Sequence, residues 1–195
     1  MIRSEIRSMI SQITPLDREE VEHIAFVENW IDSGAEIFRI TKPATPDPHL
    51  VAYFLLIDQS EQRLLLVEHK KANLWLPAGG HVEYNEHPKD TVTREMLEEL
   101  GIQADFLSEK PFFLTVTKTT GEKDTHKDVS LWYILRGSIT TSFPFDKREF
   151  HSIRWFQPSE IPLDQSDPHM HRLLQKLILQ GFFPSNIIEE GSLLF

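Results

Sequence analysis

A helix predicted over residues 88–100 constrains this chain most, because its acidic residues fall on one face. Glu95, Glu98 and Glu99 stand at positions i, i+3 and i+4, which are neighbours on a helix surface. Such pairs cost only about 0.2–0.5 kcal/mol on an exposed helix, but when they are partly buried two like charges about 4 Å apart repel by roughly 4 kcal/mol at an effective dielectric of 20. A chain that places three carboxylates together, on a helix ended by Gly101, therefore indicates a compensating cation.

Oxygen ligands favour a hard divalent cation such as Mg²⁺ or Mn²⁺ over zinc. Arg94 is placed to brace one carboxylate, and Glu86, just ahead of the helix, can turn back toward the same face. Gly79 and Gly80 would let the backbone approach a metal or phosphate closely. Three acids alone are usually a solvated helix surface, so the interpretation as a site depends on the whole arrangement. An adjacent apolar stripe can bury the helix: Val92, Met96 and Leu100.

The complete spacing resembles the Nudix box of the Nudix hydrolase (MutT-like) superfamily at every defined position. It reads Gly80-x5-Glu86-x7-Arg94-Glu95-Met96-x-Glu98-Glu99-x-Gly101-Ile102. The resemblance extends over about residues 50–157 and implies the family's α/β/α sandwich, an α+β fold with a mixed sheet. It also implies hydrolysis of a phosphoanhydride bond in a nucleoside diphosphate linked to a moiety X, with Mg²⁺ or Mn²⁺ as cofactor.

The same resemblance implies roles for individual residues. Glu98 and Glu99 would be the principal metal ligands, and Glu95 would be a further ligand or the catalytic base. Arg94 would orient a glutamate. Glu86 would be an outer ligand or a ligand of a second metal. Gly80 would supply a backbone carbonyl or allow the backbone to approach closely.

Enzymes of this kind often use a further acid from outside the box. Glu149, a few residues ahead of an apolar segment, is the first candidate for a base or ligand, and a solvated loop acid is its alternative. Asp128 is the second candidate. His126 and Asp128 lie two positions apart, would share a strand face and could contact substrate. An exposed start of a strand is the favoured alternative for that pair.

Two further residues are predicted to bind substrate. Trp132 could stack on a base, although an aromatic residue in a strand more often belongs to the core. Lys70, at the end of a predicted strand, could contact phosphate, although most surface lysines have no specific role.

Residues 1–34 are predicted to form two helices. The first carries an apolar stripe of Ile2, Ile6, Met9, Ile10 and Ile13. The second opens with a capping box of Asp17 and Glu20, and its predicted apolar face is Val21, Ile24, Ala25 and Ile31, with Val27 at the edge. Residues 42–48 are a stiff proline-rich connector. We therefore divide the chain into a helical extension with linker over 1–45 and a hydrolase domain over 46–195.

The remaining pattern predicts strands separated by turns, then a late helix. The strands fall at about 50–57, 63–67, 74–76, 112–118, 129–136 and 151–156, and the helix at about 168–179. Gly79-Gly80 is expected to break regular structure.

Composition restricts the partners. A net charge of −10 repels nucleic-acid backbones, which bind clustered Lys and Arg, so polymeric nucleic acid is not expected as a partner. A small phosphate substrate can still bind if a cation bridges the two, so the charge is compatible with the nucleotide-like substrate that the resemblance implies. The absence of cysteine excludes disulfides and thiolate metal sites and is compatible with a reducing cytoplasm. No run approaches the roughly 18 apolar residues of a membrane span, and the N-terminus lacks a secretory apolar region. We expect a cytoplasmic protein without a membrane partner, whose N-terminal helices cover the sheet or form a homodimer interface.

Two functions of different classes follow from these features. The first is a nucleoside triphosphate pyrophosphohydrolase, which rests on the complete set of box acids. The second is a non-catalytic module that senses nucleotides or metabolites on the same fold, which would be expected to lose box acids. The resemblance also includes an isomerase branch of the family, but that branch uses a cysteine and this chain has none, so we set it aside. Signatures associated with dinucleoside polyphosphates, ADP-ribose and coenzyme A are not found, which leaves nucleoside triphosphates as the default substrate.

Overall fold

The computed structural model describes residues 2–41, 46–119 and 126–185 of the chain. A mixed sheet forms its centre, from strands β1 (His49–Asp58), β2 (Arg63–His69), β3 (Leu74–Leu76), β4 (Ala78–His81), β5 (Phe113–Lys118), β6 (Lys127–Arg136) and β7 (Phe150–Phe156). Helices α1 (Ile2–Ile10), α2 (Arg18–Asp32), α3 (Pro88–Leu100) and α4 (Met170–Leu179) surround it. Short 3₁₀ turns lie at Pro158–Glu160 and Leu163–Gln165.

Strand order places the ends of distant segments side by side. The order is β3-β2-β1-β6-β5, with β4 also pairing with β1 and β7 with β2. β1 and β6 are parallel over their whole length, with His49 opposite Asp128, while β4 runs antiparallel to β1 with His81 opposite Val51. β5 is antiparallel to β6.

Helices cover both faces of this sheet. One apolar cluster joins residues of α1, α2 and α3 to alternate residues of the sheet, and the second joins α4 to the opposite set. On β6, Leu131 and Tyr133 belong to the first cluster, whereas Trp132 and Ile134 belong to the second. This period of two is what a strand buried on both faces requires. The predicted α/β/α sandwich of the α+β class with a mixed sheet is confirmed.

α3 has the bounds predicted from the sequence because each end has a strong local signal. Pro88 occupies the first turn, and the His87 side chain accepts a hydrogen bond from Lys89 N at 3.1 Å. Gly101 closes the helix in a left-handed conformation, with φ 67°. The predicted apolar stripe is fully buried: Val92, Met96 and Leu100.

β4 corrects one prediction, because Gly79-Gly80 lies within a strand and does not break regular structure. Gly79 pairs with Tyr53 of β1 and has φ 139°. A Cβ atom at Gly79 would overlap the Ala52 carbonyl oxygen. Glycine therefore permits two backbones to approach more closely than other residues allow.

The N-terminal helices were predicted correctly in position but only partly in their faces. The α1 stripe is buried at Ile6, Met9 and Ile10. On α2 the predicted face is wrong at two positions, since Val21 and Ala25 are exposed. The buried residues of α2 are Glu20, Val27, Trp30 and Ile31. Residues 42–45 of the predicted connector lie outside the described residues, and the domain boundary at 45/46 stays a prediction.

Across residues 2–41, 46–119 and 126–185, no helix has both the length and the apolarity that crossing a membrane requires.

Candidate active site

Three carboxylates of α3 face the loop and strand that precede it. Glu99 is buried, and its Oε2 accepts a hydrogen bond from the Gly79 amide at 3.0 Å. The Glu95 side chain is 15% exposed and the Glu98 side chain 61% exposed, so access to solvent increases across the cluster. Helix spacing puts the three groups on one side of α3, and β4 contacts two of them, Glu95 and Glu99.

Gly80 makes room for the carboxylate of Glu95. A Cβ atom at Gly80 would occupy the position of Glu95 Oε1. Glycine at this position is therefore required by the side chain of the opposite helix, whereas Gly79 is required by the opposite backbone. Gly80, the one glycine of the predicted metal set, thus lies directly against an acidic group of the cluster.

Arg94 connects two of the predicted site residues. Its Nε and Nη2 donate to the two oxygens of Glu86 at 2.9 and 3.0 Å, and Nη1 donates to Glu95 Oε1 at 2.6 Å. Glu86 also accepts hydrogen bonds from Thr91 Oγ1 at 2.7 Å and from Glu83 N at 3.0 Å. Burial raises the pKa of Glu86, but the hydrogen bonds from Arg94, Thr91 and the Glu83 amide together lower that pKa below its ordinary value. Glu86 is thus an ionised carboxylate saturated by donors at the edge of the cluster.

The centre of the cluster holds more carboxyl groups than the single charge of Arg94 can stabilise as anions. Burial, followed by the charges of Glu95 and Glu149, raises the pKa of Glu99 to about 9. Burial also raises the pKa of Glu95, despite the hydrogen bond from Arg94. Burial and neighbouring acids make a carboxyl group hold its proton more tightly, whereas a nearby cation stabilises the ionised form. The oxygen-only donor set, held against the backbone of Gly79 and Gly80, therefore fits a hard divalent ion.

Glu149 comes to the same cluster from a distant part of the sequence. It precedes β7, and its carbonyl accepts a hydrogen bond from the amide of Lys70, which follows β2, at 2.9 Å. This bond continues the pairing of β2 with β7 and places Glu149 where its charge raises the pKa of Glu95 and Glu99. An open cavity of about 310 Å³ lies beside it, lined by His69, Lys71, Arg148 and Glu149.

Two of the predicted substrate-binding residues, Lys70 and Trp132, lie in different environments. Lys70 lies next to Glu149 at the end of β2, and its ammonium donates to the carbonyl of Lys147. Trp132 is 1% exposed and packs against Tyr53 and Phe113 in the cluster on the α4 face. Stacking of a base on Trp132 is therefore a wrong prediction, since the ring is enclosed by the core.

His126 and Asp128 lie in a second polar cluster, away from the α3 carboxylates. Asp128 is 8% exposed, so the favoured alternative of an exposed strand start is wrong. His126 Nε2 lies 3.2 Å from Asp128 Oδ1. Two residues that the sequence did not single out, His49 and His81, complete this cluster. The strand register places His49 opposite Asp128, and no spacing within one strand could have revealed that pairing.

Two alanine substitutions separate the roles of the adjacent glycines. We expect Gly80→Ala to displace the mobile end of Glu95 and lower kcat roughly tenfold, less than the 10²-fold that a 1 Å misplacement can cost. Its thermal midpoint should change little, because the neighbouring side chain can move. Gly79→Ala should instead lower the free energy of unfolding by more than about 1 kcal/mol, since a rigid backbone and a positive φ oppose it. Equal effects of both changes on activity and stability would contradict this division.

Comparisons with known proteins agree with these features. The family model described as the NUDIX domain matches residues 47–177. A Bacillus subtilis (strain 168) protein named as a candidate 8-oxo-dGTP diphosphatase is 31% identical over 111 residues, covering 56% of this chain and 68% of that protein. The m7GpppN-mRNA hydrolase NUDT17 of Danio rerio is 39% identical over 57 residues, which cover 27% of this chain and only 19% of that protein.

A comparison with solved structures agrees with the architecture. The crystal structure of a NUDIX-family hydrolase from Clostridium perfringens superposes with a TM-score of 0.52 at 20% sequence identity. The superposition covers 68% of this chain and 97% of that one. At this identity the likeness concerns the fold alone.

Proposed function

The chain belongs to the NUDIX family of hydrolases, and from this premise we propose that it cleaves a phosphoanhydride bond in a nucleoside diphosphate linked to a moiety X. We further propose a nucleoside triphosphate as the substrate, with a nucleoside monophosphate and pyrophosphate as products. The observation that carries the proposal is the gathering of Glu95, Glu98 and Glu99 on the side of α3 next to the glycine-containing β4 strand, with the charge of Glu149 acting on Glu95 and Glu99. The candidate diphosphatase of Bacillus subtilis supports the substrate class.

The carboxylates are assigned by their exposure and partners. Glu98, Glu99 and Glu95 are the residues that would hold the metal, and glycine at position 80 would let the backbone approach it. Glu86 is placed at the outer edge, because both of its oxygens already accept hydrogen bonds from Arg94. Mg²⁺ or Mn²⁺ bound there would neutralise phosphate charge and lower the pKa of a water molecule.

Three further residues are assigned to positioning a carboxylate, accepting a proton and contacting phosphate. Arg94 holds Glu95 in place through the hydrogen bond to Oε1. Glu149, which is exposed and adjoins the open cavity, is the proposed general base that takes a proton from the attacking water. Lys70, which follows β2 beside Glu149, is the proposed phosphate contact, and Lys71 and Arg148 add positive charge along the cavity.

A substrate panel with controlled metal tests the proposal. Purified protein, treated with a chelator, is assayed with Mg²⁺ or Mn²⁺ against nucleoside triphosphates including 8-oxo-dGTP, nucleotide sugars and dinucleotides. We expect no turnover without metal, restored turnover with either ion, and release of pyrophosphate with monophosphate. Reaction in ¹⁸O-labelled water identifies which phosphorus is attacked, by the product that gains the label.

The outcomes distinguish the two functions. If only a nucleotide sugar or a dinucleotide is hydrolysed, the proposed reaction is correct but the moiety X is not the phosphate of a nucleoside triphosphate. Tight binding of a nucleotide without metal-dependent hydrolysis of any compound would overturn the proposal and favour a sensing module.

A further inference from the structure

Three histidines and one aspartate from separate parts of the chain meet at one end of the sheet. His49 begins β1, His81 ends β4, and His126 with Asp128 stands at the start of β6. One ligand atom from each of the four side chains lies within 4.8 Å of all the others. The parallel pairing of β1 with β6 and the antiparallel pairing of β1 with β4 create this juxtaposition.

This cluster and the α3 carboxylates lie on opposite faces of the sheet. Side chains two or four positions apart on a strand point to the same face, so Asp128 lies on the face of Trp132, which belongs to the apolar cluster with α4. Leu131 points to the other face and belongs to the apolar cluster that contains Met96 of α3. The sheet therefore separates the histidine cluster from the carboxylates to which the hydrolytic reaction is assigned.

An unsatisfied pair of buried atoms lies at the centre of the cluster. The His49 side chain is fully buried, and its Nδ1 lies 2.8 Å from the Pro46 carbonyl oxygen. A carbonyl only accepts hydrogen bonds, so Nδ1 carries the proton and the Nε2 of a neutral ring presents a lone pair. That Nε2 lies 3.2 Å from Asp128 Oδ1, and neither atom has a hydrogen-bond partner among the described residues.

A lone pair facing a carboxylate oxygen in the interior is unfavourable unless a cation lies between them. A proton on His49 could supply the charge, but this ring is stacked between two other imidazoles, with centroids at 4.9 Å from His81 and 5.1 Å from His126. A metal ion instead uses the lone pairs of neutral rings. In tetrahedral coordination with bonds of about 2.0 Å, neighbouring ligand atoms lie about 3.3 Å apart.

Two of the distances between ligand atoms, and the contacts that support two of the rings, agree with that geometry. Asp128 Oδ1 lies 3.2 Å from Nε2 of both His49 and His126. The other ring nitrogen of His126 lies 3.0 Å from Thr119 Oγ1, as Nδ1 of His49 lies next to a carbonyl. Metal-binding histidines generally use the second ring nitrogen in this way, which fixes the tautomer and the ring orientation.

We propose that His49, His81, His126 and Asp128 bind one zinc-class divalent transition-metal ion at a structural site separate from the α3 carboxylates. Three imidazole nitrogens with one carboxylate suit Zn²⁺, whereas Mg²⁺ prefers oxygen ligands. Four protein ligands complete a tetrahedron and leave no position for substrate. The ion joins the start of β1, the end of β4 and the start of β6, and β4 contains Gly79 and Gly80. Binding therefore stabilises the strand that supports the hydrolytic site.

Cobalt substitution tests this site independently of hydrolysis. Full-length protein is stripped with a chelator and titrated with Co²⁺, and visible absorption and bound metal are measured. We expect one equivalent with the intense spectrum of four-coordinate Co²⁺, displaced by Zn²⁺ and unaffected by excess Mg²⁺. The same spectrum should persist in Glu98→Gln, which alters the carboxylate site. It should be lost in His126→Ala and kept in His151→Ala, a control at an exposed histidine of β7.

X-ray absorption of the zinc-loaded wild-type chain provides a measurement that needs no folded variant. We expect scattering from imidazole ligands at a bond length of about 2.0 Å. Oxygen-only coordination, an octahedral cobalt spectrum, loss of the signal in Glu98→Gln, or equal binding by folded His126→Ala would each overturn the proposal. Absence of tight Co²⁺ and Zn²⁺ binding by the wild-type chain would overturn it as well and leave a protonated His49 as the explanation.

Discussion

Glu98→Gln is expected to lower kcat by roughly 10²- to 10³-fold, the loss that follows removal of one preorganised electrostatic group from a catalytic site. The substitution keeps the size of the side chain and removes its negative charge. Glu98 is the most exposed of the three α3 carboxylates, with a side chain 61% exposed, so the folded structure should tolerate the amide. Because each tenfold change equals about 1.36 kcal/mol, the expected loss of transition-state stabilisation is about 3–4 kcal/mol.

The measurement compares kcat, KM and the half-saturating Mg²⁺ concentration of the variant with those of the wild-type chain. Asp90→Asn is a matched control, because it changes an exposed acid to its amide in the first turn of the same helix. We expect Asp90→Asn to keep near-wild-type turnover and to lose only the small stabilisation of an acid at a helix N-terminus. A Glu98→Gln variant with wild-type turnover at all metal concentrations would show that Glu98 is not in the catalytic cluster.

Local signals explain why α3 could be predicted to the residue. Pro88, Gly101 and the buried stripe act within the helix and its caps, so no knowledge of the rest of the chain is needed. The gathering of three acids on one face follows from helix geometry alone. The location of Glu149 beside them was a prediction from its place in the sequence, and the contact of its carbonyl with the amide of Lys70 gives that location a physical cause.

The failures concern interactions between distant segments. Gly79-Gly80 has low strand propensity, but pairing with β1 outweighs it because the two backbones approach closely there. Trp132 is buried because α4 covers that face of β6, which the β6 sequence alone does not show. His49 and His81 were not predicted as site residues for a similar reason: only the order of strands brings them to Asp128.

The α2 helix shows how a tertiary contact can reverse an amphipathic pattern. Val21 is 49% exposed, whereas the adjacent Glu20 is fully buried. Burial of a charged group requires a partner, and Glu20 accepts hydrogen bonds from Lys176 of α4 at 2.7 and 2.9 Å. Its oxygens also accept from the amides of Leu16 at 2.6 Å and Leu114 at 3.2 Å. The acid of the predicted capping box thus links the N-terminal helices to α4 and β5.

Removing the charge of Lys176 should therefore have the largest effect on stability. We expect Lys176→Met to lower the free energy of unfolding by about 3–5 kcal/mol, because it leaves Glu20 as a buried anion without its cation. The side chains are 4% exposed for Lys176 and fully buried for Glu20, so solvent cannot replace the lost partner. That loss is a large part of the 5–15 kcal/mol by which a domain is usually stable.

Equilibrium unfolding in urea, followed by far-ultraviolet circular dichroism, measures the change. Lys110→Met serves as the matched control, since Lys110 is exposed and a surface substitution usually stays within about 0.5 kcal/mol. Glu20→Gln combined with Lys176→Met removes both charges, so the double variant should be more stable than Lys176→Met alone. If Lys176→Met costs no more than Lys110→Met, the ion pair does not hold the N-terminal helices to α4. A double variant less stable than either single variant would indicate that Glu20 acts mainly through the amides of Leu16 and Leu114, whose hydrogen bonds an amide side chain satisfies less well.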